Sequence, residues 1–358
     1  MTTYLLAGGG TAGHVNPLLA VADRLRAANP DATILVLGTK EGLESRLVPA
    51  RGYELLTIAK LPFPRRPGAA MLRFPGALRR TVSRVRGIIH ERSVDVVVGF
   101  GGYASAPAYL AARAEHCALV VHEANAKPGF ANRLGARLTR FVGVLFASTP
   151  LRHAEVVGMP LRAEIECLDR PAARAEGYRI FGLNPNQPVL LVTGGSTGAR
   201  SLNRTISSSV ALVLGAGWQV LHIAGEKSEV ADPQLPGYVL LRYCDRMELA
   251  IAVADLAVSR AGSATVSEFT AVGVPAIYVP YPVGNGEQRF NAADVVAAGG
   301  AELVLDADFT PAWVASRLVP LLQDRAAIAE MAARAVSVGV TDGTDRMVAL
   351  ITRALASK

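Results

Sequence analysis

The sequence predicts an α/β protein built from two Rossmann-like, doubly wound domains. Short apolar runs alternate with helical periodicity along the chain, and this pattern starts again near residue 188. The length of 358 residues suits two domains, and 51% hydrophobic with only 6% aromatic residues is typical of buried parallel strands. We therefore expect two parallel sheets with right-handed crossovers and a ligand cleft between the domains.

Each half of the chain contains its own series of predicted strands. In the first half they lie at 4–7, 33–38, 94–98, 118–121 and 141–146, with helices over 16–28 and 104–115. In the second half they lie at 188–193, 219–223, 238–241, 255–258, 275–279 and 302–305. We place an N-terminal domain at 1–160 and a C-terminal domain at 161–342. A final helix within 343–358 is expected to pack back on the N-terminal domain.

Charge and cysteine content narrow the class of protein. The net charge of +7 and a pI near 9.5 indicate anionic partners, such as phosphates, nucleic acid or an anionic membrane surface. The three cysteines lie far apart without a CxxC pair, which favours a reducing compartment over a disulfide framework or a zinc site. We expect neither a signal peptide nor a membrane-spanning helix, because no leader pattern and no apolar run of about 18 to 20 residues occurs.

A glycine-rich turn joins the first predicted strand to the first helix. Gly8, Gly10 and Gly13 match the GxGxxG dinucleotide fingerprint. That fingerprint also needs an acidic residue at the end of the second strand, which here runs into Gly38 and Thr39. NAD binding is therefore not expected. The turn can still bring backbone N–H groups close to an anion at a helix N-terminus, and a turn without a ligand is the alternative.

Two further features of the glycine turns point to chemistry. His14 lies where the first turn enters its helix, and a neutral imidazole there can act as a general base. The segment TGGSTGAR at 193–200 repeats the strand–turn–helix pattern and offers a second anion cradle with Ser196. It is not a P-loop, because the Gly-Lys-Ser/Thr ending is absent.

Polar side chains follow two neighbouring strands of the second half. Ser263 begins a helix that carries Glu268, and Gln288 and Asn291 open the helix after the next strand. Carboxyl ends of parallel strands line the ligand crevice of an open α/β sheet. The helix N-terminus suits a diphosphate, Glu268 suits ribose hydroxyls, and the two amides suit sugar hydroxyls. Helix caps and solvated turns are the alternative for each residue taken singly.

The chain resembles the MurG family of GT-B-fold glycosyltransferases. The matching segments occur in the family's order and span nearly the whole chain: GGGTAGH (8–14), VVGFGGYASAP (97–107), HEANAKPG (122–129), VGMPLR (157–162), TGGSTGAR (193–200), SRAGSATVSE (259–268) and EQRFNA (287–292). The resemblance implies an inverting transfer of GlcNAc from UDP-GlcNAc to the MurNAc C4 hydroxyl of undecaprenyl-diphosphate-linked MurNAc-pentapeptide (lipid I). Lipid II and UDP are the implied products, and no cofactor is implied.

The resemblance also implies roles for individual residues. Near the donor sugar and the acceptor it implies Thr11, Ala12, Gly13 and His14. For the sugar of the donor, the resemblance implies contacts from Asn125, and from Gln288 and Asn291 to the GlcNAc hydroxyls. For the nucleotide, it implies contacts of Arg162 and the Cys244 backbone with the uracil, and of Glu268 with the ribose. For the phosphates, it implies contacts of Ser196 with one phosphate and of the amides of Ser263, Ala264 and Thr265 with the diphosphate.

This sequence departs from the family pattern at two places. Ala12 stands where many members have glycine, and the segment before Gln288 lacks a histidine that often precedes it.

Transfer needs a base for the acceptor hydroxyl proton. His14 is the first candidate, and Glu123 and His122 compete with it or orient the acceptor.

We assign no metal site to the sequence. The DxD motif, which holds a metal in many nucleotide-sugar transferases, occurs once, as Asp306-Ala-Asp308. It directly precedes Thr310 and Pro311, which fit the N-cap and first position of a helix. Helix N-termini and backbone amides can instead neutralise the diphosphate.

Residues 60–90 form a basic amphipathic segment that contains no acidic residue. This pattern is typical of a surface that meets anionic lipid headgroups, and the residues expected to face the membrane are Arg65, Arg66, Arg73, Phe74, Arg79 and Arg80. The alternative is a solvated helix whose apolar face packs on the sheet. Nucleic acid is not expected, because no nucleic-acid motif accompanies the patch. We expect a peripheral protein at the cytoplasmic face of the cell membrane, with cell-wall synthesis proteins as further partners.

Three other functions share parts of this pattern. A GT-B transferase with another lipid acceptor, such as diacylglycerol, would share the donor loops, but the segments GGYASAP and HEANAKPG favour the MurG interpretation. A UDP-GlcNAc 2-epimerase would need neither a lipid nor a basic face. A nucleotide-sugar sensor without turnover would bind UDP-GlcNAc only.

Overall fold

The computed structural model describes residues 1–62, 68–195, 198–283 and 286–357. The chain divides into two compact units, Met1–Arg162 together with Thr341–Lys358 (the N-terminal unit), and Ala163–Val340 (the C-terminal unit). Each unit is built on one parallel β-sheet with helices, so the predicted α/β class with two doubly wound sheets is confirmed. The boundary predicted after residue 160 lies two residues before the observed division.

The N-terminal unit has a seven-stranded sheet in the order β3-β2-β1-β4-β5-β6-β7. Its strands, all parallel, are β1 (Thr3–Ala7), β2 (Thr33–Gly38), β3 (Glu54–Thr57), β4 (Val96–Gly99), β5 (Ala118–Glu123), β6 (Phe141–Val144) and β7 (Ala154–Val156). The sequence analysis missed β3 and β7. Both lie at the edges of the sheet and are short and partly exposed, so they lack a long apolar run.

Helices cover both faces of this sheet. They are α1 (Ala12–Ala28), α2 (Glu44–Ala50), α3 (Ala69–Glu91), α4 (Ser105–Ala114), α5 (Phe130–Gly135) and, from the end of the chain, α16 (Gly343–Ala356). Met347 and Leu350 of α16 are buried in one core with Leu6 and Leu18, so the C-terminal helix completes the N-terminal unit. The opposite face buries Leu5, Val97 and Tyr109.

The C-terminal unit has a six-stranded parallel sheet in the order β10-β9-β8-β11-β12-β13. The strands are β8 (Val189–Thr193), β9 (Gln219–Ile223), β10 (Tyr238–Leu241), β11 (Leu256–Ser259), β12 (Ala276–Tyr278) and β13 (Ala301–Leu303). The helices are α6 (Ala163–Glu166), α7 (Arg170–Phe181), α8 (Arg200–Gly215), α9 (Met247–Val253), α10 (Ser263–Val272), α11 (Glu287–Asn291), α12 (Ala293–Ala297), α13 (Pro311–Trp313), a π-helical turn (Val314–Leu318), α14 (Val319–Gln323) and α15 (Arg325–Ser337).

Each sheet reverses its strand order at one place. The reversal falls between β1 and β4 in the N-terminal unit and between β8 and β11 in the C-terminal unit. The loops after these strands therefore splay apart at the carboxyl edge and leave a crevice, which is where open α/β sheets bind ligands. The glycine turns identified in the sequence follow β1 and β8, so both lie at these crevices.

Candidate active site

The crevice of the N-terminal unit is formed by the glycine turns after β1 and β4. Gly102, after β4, has φ +82°, and a Cβ there would lie 2.4 Å from the Gly9 carbonyl oxygen. A side chain at this position would therefore clash with backbone, and only glycine permits both the left-handed conformation and the close approach. The two turns pack together as one surface, and His14 lies beside it.

The imidazole of His14 contacts the turn that it follows. Its Nδ1 atom lies 3.1 Å from the carbonyl oxygen of Gly9. A carbonyl oxygen only accepts hydrogen bonds, so this contact requires a proton on Nδ1, and the neutral imidazole then has its lone pair on Nε2. A Cβ on Gly101 would lie 3.0 Å from Nε2, which places that atom against the turn after β4. A half-buried imidazole with an unprotonated Nε2 at a crevice is what a general base requires.

Glu44, which the sequence analysis missed, lies beneath the first glycine turn. Its carboxylate is fully buried and accepts hydrogen bonds from the Gly10 N–H (2.8 Å), the Thr39 N–H (2.9 Å) and the Thr39 hydroxyl (2.8 Å). Burial raises the pKa of Glu44, but these donors outweigh it and hold the pKa below its usual range. The Gly10 N–H, which the sequence analysis expected to be available to an external anion, therefore donates to the Glu44 carboxylate instead.

Glu123 holds the loop that follows β5. Its carboxylate is 2% exposed and accepts from the Asn125 N–H (2.9 Å), the Gly129 N–H (2.9 Å) and the Asn132 amide (3.0 Å). The other end of the Asn132 amide accepts a hydrogen bond from the Tyr109 hydroxyl at 2.6 Å. These contacts suit a group that shapes the loop carrying Asn125 better than a group that takes a proton from an acceptor.

His122, the third base candidate, is fully buried. Its Nε2 donates a hydrogen bond to the Gly158 carbonyl oxygen at 3.1 Å, and its ring lies 5.7 Å from that of Phe100. Burial lowers the pKa of His122 to about 4, so it is neutral near pH 7. Among the three candidates, His14 alone is partly exposed, and its Nε2 lies beside the turn after β4.

The C-terminal unit presents a helix N-terminus at its crevice. Helix α10 begins at Ser263, directly after β11, and its N-cap residue Gly262 has no side chain with which to cap it. The first N–H groups of α10, from Ser263 to Thr265, therefore supply an anion-binding end. Glu268 lies in the same helix and is half-buried.

The structure places Gln288 and Asn291 in α11, the helix after β12. Gln288 is half-buried and its side-chain oxygen accepts from the Tyr281 N–H at 2.8 Å. Asn291 is 1% exposed and its amide donates to the Ala261 carbonyl oxygen at 3.3 Å. This hydrogen bond joins Asn291 to the turn before α10, and its contact with sugar hydroxyls stays a prediction.

The remaining candidates occupy different surroundings. Cys244 is half-buried in the loop between β10 and α9, at the same carboxyl edge as α10. Arg162 is half-buried at the end of the first segment of the N-terminal unit. Ser196 lies outside the described residues. Its turn includes Gly198, which has φ +74° and where a Cβ would lie 2.2 Å from the Ala224 carbonyl oxygen.

The first aspartate of the DxD motif, Asp306, is paired within the C-terminal unit. Asp306 forms an ion pair with the buried guanidinium of Arg260, and the Ser201 hydroxyl donates to the same Asp306 oxygen at 2.6 Å. The Thr310 hydroxyl accepts from the Trp313 N–H at 3.2 Å, so the predicted N-cap, with Pro311 at the first turn, is confirmed. Asp306 is therefore engaged by a cation of the protein itself.

Helix α3 divides the basic segment into two parts. Val85, Ile88 and Ile89 in its second half are buried in the core of the N-terminal unit, as the solvated-helix alternative expects. In its first half Leu72 is 85% exposed, next to further exposed or half-buried residues of the predicted face, Arg73, Phe74, Arg79 and Arg80. Arg65 and Arg66 lie outside the described residues. Within the described ranges, the structure contains no helix long and apolar enough to span a membrane.

Two family models together match most of the chain. The glycosyltransferase family 28 N-terminal domain matches residues 4–144, and the family 28 C-terminal domain matches residues 189–347. A protein of Leifsonia xyli subsp. xyli is 65% identical over 357 residues and covers 100% of both chains. A protein of Streptomyces coelicolor is 48% identical over 358 residues, covering 99% of this chain and 98% of its own. Both are named UDP-N-acetylglucosamine--N-acetylmuramyl-(pentapeptide) pyrophosphoryl-undecaprenol N-acetylglucosamine transferase.

Solved structures are similar over the same length. MurG of Acinetobacter baumannii aligns with a TM-score of 0.80 at 28% identity, covering 99% of this chain and 100% of that one. A UDP-GlcNAc 2-epimerase from Neisseria meningitidis aligns with a TM-score of 0.71 at 15% identity, covering 99% and 100%, and at that identity only the fold is shared. The resemblance seen in the sequence is confirmed: the chain belongs to glycosyltransferase family 28 and, within it, to the MurG family.

Proposed function

We propose that this protein transfers GlcNAc from UDP-GlcNAc to the MurNAc C4 hydroxyl of lipid I, forming lipid II and UDP in peptidoglycan synthesis. The observation that carries the proposal is 65% identity, over the whole chain, to a transferase of that name. We assign the acceptor and the membrane to the N-terminal unit and UDP-GlcNAc to the C-terminal unit.

The proposed reaction needs one proton acceptor and one anion-binding site. The acceptor O4 attacks the anomeric carbon of GlcNAc from the face opposite UDP, while the bond from that carbon to the diphosphate oxygen breaks, so the configuration inverts. His14 Nε2 takes the hydroxyl proton, and UDP leaves with the bonding electron pair. The N–H groups at the start of α10 stabilise the charge that develops on the diphosphate. Since Asp306 is paired with Arg260, we expect no metal requirement.

The proposed contacts of the donor follow the family assignments. The amides of Ser263, Ala264 and Thr265 bind the diphosphate, and Glu268 binds the ribose. Arg162 and the Cys244 backbone bind the uracil, Ser196 a phosphate, Asn125 and Gln288 the GlcNAc. Thr11, Ala12 and Gly13 line the acceptor side beside His14. Asn291 is proposed to bind the GlcNAc hydroxyls together with Gln288.

The experiment that tests this function follows radiolabelled GlcNAc from UDP-GlcNAc to a short-chain lipid I analogue. We expect label in lipid II, at a rate that EDTA leaves unchanged, because helix N–H groups replace the metal. A second reaction contains diacylglycerol in place of the lipid I analogue. A third contains no acceptor, and its UDP-GlcNAc is analysed for conversion to the 2-epimer. Label in diacylglycerol or conversion to the epimer, with none in lipid II, would instead assign the chain to one of those activities.

We propose further that the first half of α3 places the protein on the cytoplasmic face of the cell membrane. Leu72 and neighbouring arginines combine an exposed apolar side chain with positive charge, which suits an anionic headgroup layer. A lipid-linked acceptor requires such access. Other cell-wall synthesis proteins at the same membrane are proposed partners.

Leu72→Gln is expected to weaken binding to vesicles that contain phosphatidylglycerol. Loss of one inserted leucine removes about 1 kcal/mol, or roughly fivefold in the partition coefficient. Co-sedimentation measures the effect, with Leu212→Gln as the matched control, since Leu212 is 44% exposed on α8 of the other unit. Equal binding of the Leu72 variant and the wild type would place the membrane contact elsewhere.

A further inference from the structure

We propose that Glu44 is a positioning residue for His14 and acts through the peptide group that joins Gly9 to Gly10. The N–H of this peptide donates to the Glu44 carboxylate at 2.8 Å. The C=O of the same peptide accepts from His14 Nδ1 at 3.1 Å. One planar peptide group therefore links the buried carboxylate of Glu44 to the imidazole of His14. This inference rests on the proposed role of His14 as the base.

The link defines both the tautomer and the direction of the imidazole. A carboxylate bonded to the N–H polarises the peptide and makes its carbonyl oxygen a stronger acceptor. That oxygen keeps the proton on Nδ1, so the lone pair stays on Nε2. When Nε2 takes the proton of the acceptor hydroxyl, the negative charge of Glu44 stabilises the imidazolium that forms. The peptide thus does for His14 what a directly bonded carboxylate does for the histidine of a catalytic triad.

Glycines around Glu44 show that this carboxylate is built into the turn. A Cβ on Gly9 would lie 2.3 Å from a Glu44 oxygen, one on Gly42 would lie 2.0 Å away, and one on Gly38 would lie 2.6 Å from its Cγ. Three glycines therefore make room for one buried side chain. Thr39 fixes its second oxygen with two hydrogen bonds, which leaves the first oxygen for the Gly10 N–H.

Another titratable group near His14 leaves the relay unaffected. His122 interacts electrostatically with His14, but burial lowers the pKa of His122 to about 4. It is therefore neutral through the range in which the enzyme would be assayed. Glu44 supplies the negative charge of the relay.

The test compares Glu44→Gln with Gly42→Ala, whose new methyl group would lie 2.0 Å from a Glu44 carboxylate oxygen and so displace it. In both variants we expect kcat to fall about tenfold, with KM for UDP-GlcNAc within about twofold. The acid limb of kcat should move at least about half a pH unit lower. Asp95→Asn is the matched control, because its carboxylate accepts a backbone N–H from Thr3 at the start of β1 and should leave all three quantities unchanged.

A spectroscopic measurement separates this inference from the proposed function. In ¹⁵N spectra of the wild-type protein, His14 should be the Nδ1–H tautomer, and Glu44→Gln should shift it toward a mixture. A wild-type Nε2–H tautomer overturns the relay, and so does a slow variant with an unchanged tautomer and acid limb, which would make Glu44 merely structural. If the wild type transfers no GlcNAc to lipid I but the tautomer still depends on Glu44, the function fails while the relay stands.

Discussion

His14→Ala is expected to lower kcat for GlcNAc transfer by about 10²- to 10⁴-fold, the range that a general base supplies. The methyl group removes the Nε2 lone pair but leaves the backbone of the glycine turn, because the His14 ring donates to the turn and does not support it by packing in the core. The predicted contacts to UDP-GlcNAc lie mainly in the C-terminal unit, so its Kd should stay within about twofold. The loss should therefore fall on kcat rather than on donor binding.

The measurement is a single-turnover reaction with enzyme in excess, so that slow release of lipid II or UDP does not mask the chemical step. His90→Ala is the control, since His90 is an exposed histidine in the last turn of α3. A His14 variant that keeps more than about a third of the wild-type rate contradicts the assignment. Glu123→Gln would then be measured next, because its carboxylate lies in the same unit.

A double-mutant cycle joins this result to the proposed relay. If Glu44 acts only through His14, Glu44→Gln should change kcat by less than about twofold in the His14→Ala background, although it costs about tenfold alone. Additive losses would show that Glu44 supports activity by some other route. The cycle therefore tests coupling between two groups that share no direct contact.

The sequence was sufficient for the fold and for the location of the crevices, because both depend on local patterns. Apolar runs located most of the strands, and the glycine turns after β1 and β8 fell at the reversals of strand order. The N-cap at Thr310 could be predicted because the start of a helix depends on the residue types at adjacent positions. The edge strands β3 and β7 could not be predicted, because their side chains are partly exposed and do not form an apolar run.

The parts of the site that sequence reasoning missed depend on contacts between distant residues. Glu44 does follow the second strand, where an acidic residue was sought, but it lies in the next helix and turns inward to Gly10. The hydrogen bond from the Asn291 amide to the Ala261 carbonyl oxygen could not be predicted either. Asn132 joins Glu123 to Tyr109. Side-chain direction and hydrogen-bond partners are tertiary properties, which spacing along the chain does not encode.

The second large effect concerns stability against acid and depends on His222. This side chain is fully buried in β9, where its Nδ1 accepts from the Tyr238 hydroxyl (2.6 Å) and its Nε2 donates to the Asn203 side chain (3.1 Å). Both ring atoms are thus satisfied in the neutral form. Burial lowers the pKa of His222 to about 4, far below the 6.5 that it has in an unfolded chain.

The sign of the pH dependence follows from this difference. As the pH falls through 6.5, the unfolded chain gains a proton at His222 while the folded unit does not, so the free energy of unfolding decreases until about pH 4. Between pH 7 and pH 5 the loss from this one residue is about 2 kcal/mol. The C-terminal unit contains one of the six histidines and both tryptophans of the chain, so tryptophan fluorescence during urea unfolding reports this unit and this histidine.

His222→Gln isolates the effect, because glutamine can keep an acceptor for Tyr238 and a donor for Asn203 but does not titrate. The variant should be less stable than the wild type at pH 7, and its stability should decline by about 2 kcal/mol less between pH 7 and pH 5. Carboxylates that titrate near pH 5 contribute equally to both proteins and cancel in the comparison. Parallel declines in the two proteins would mean that folded His222 accepts a proton as easily as the unfolded chain does, and that the hydrogen bonds from Tyr238 and to Asn203 do not keep it neutral.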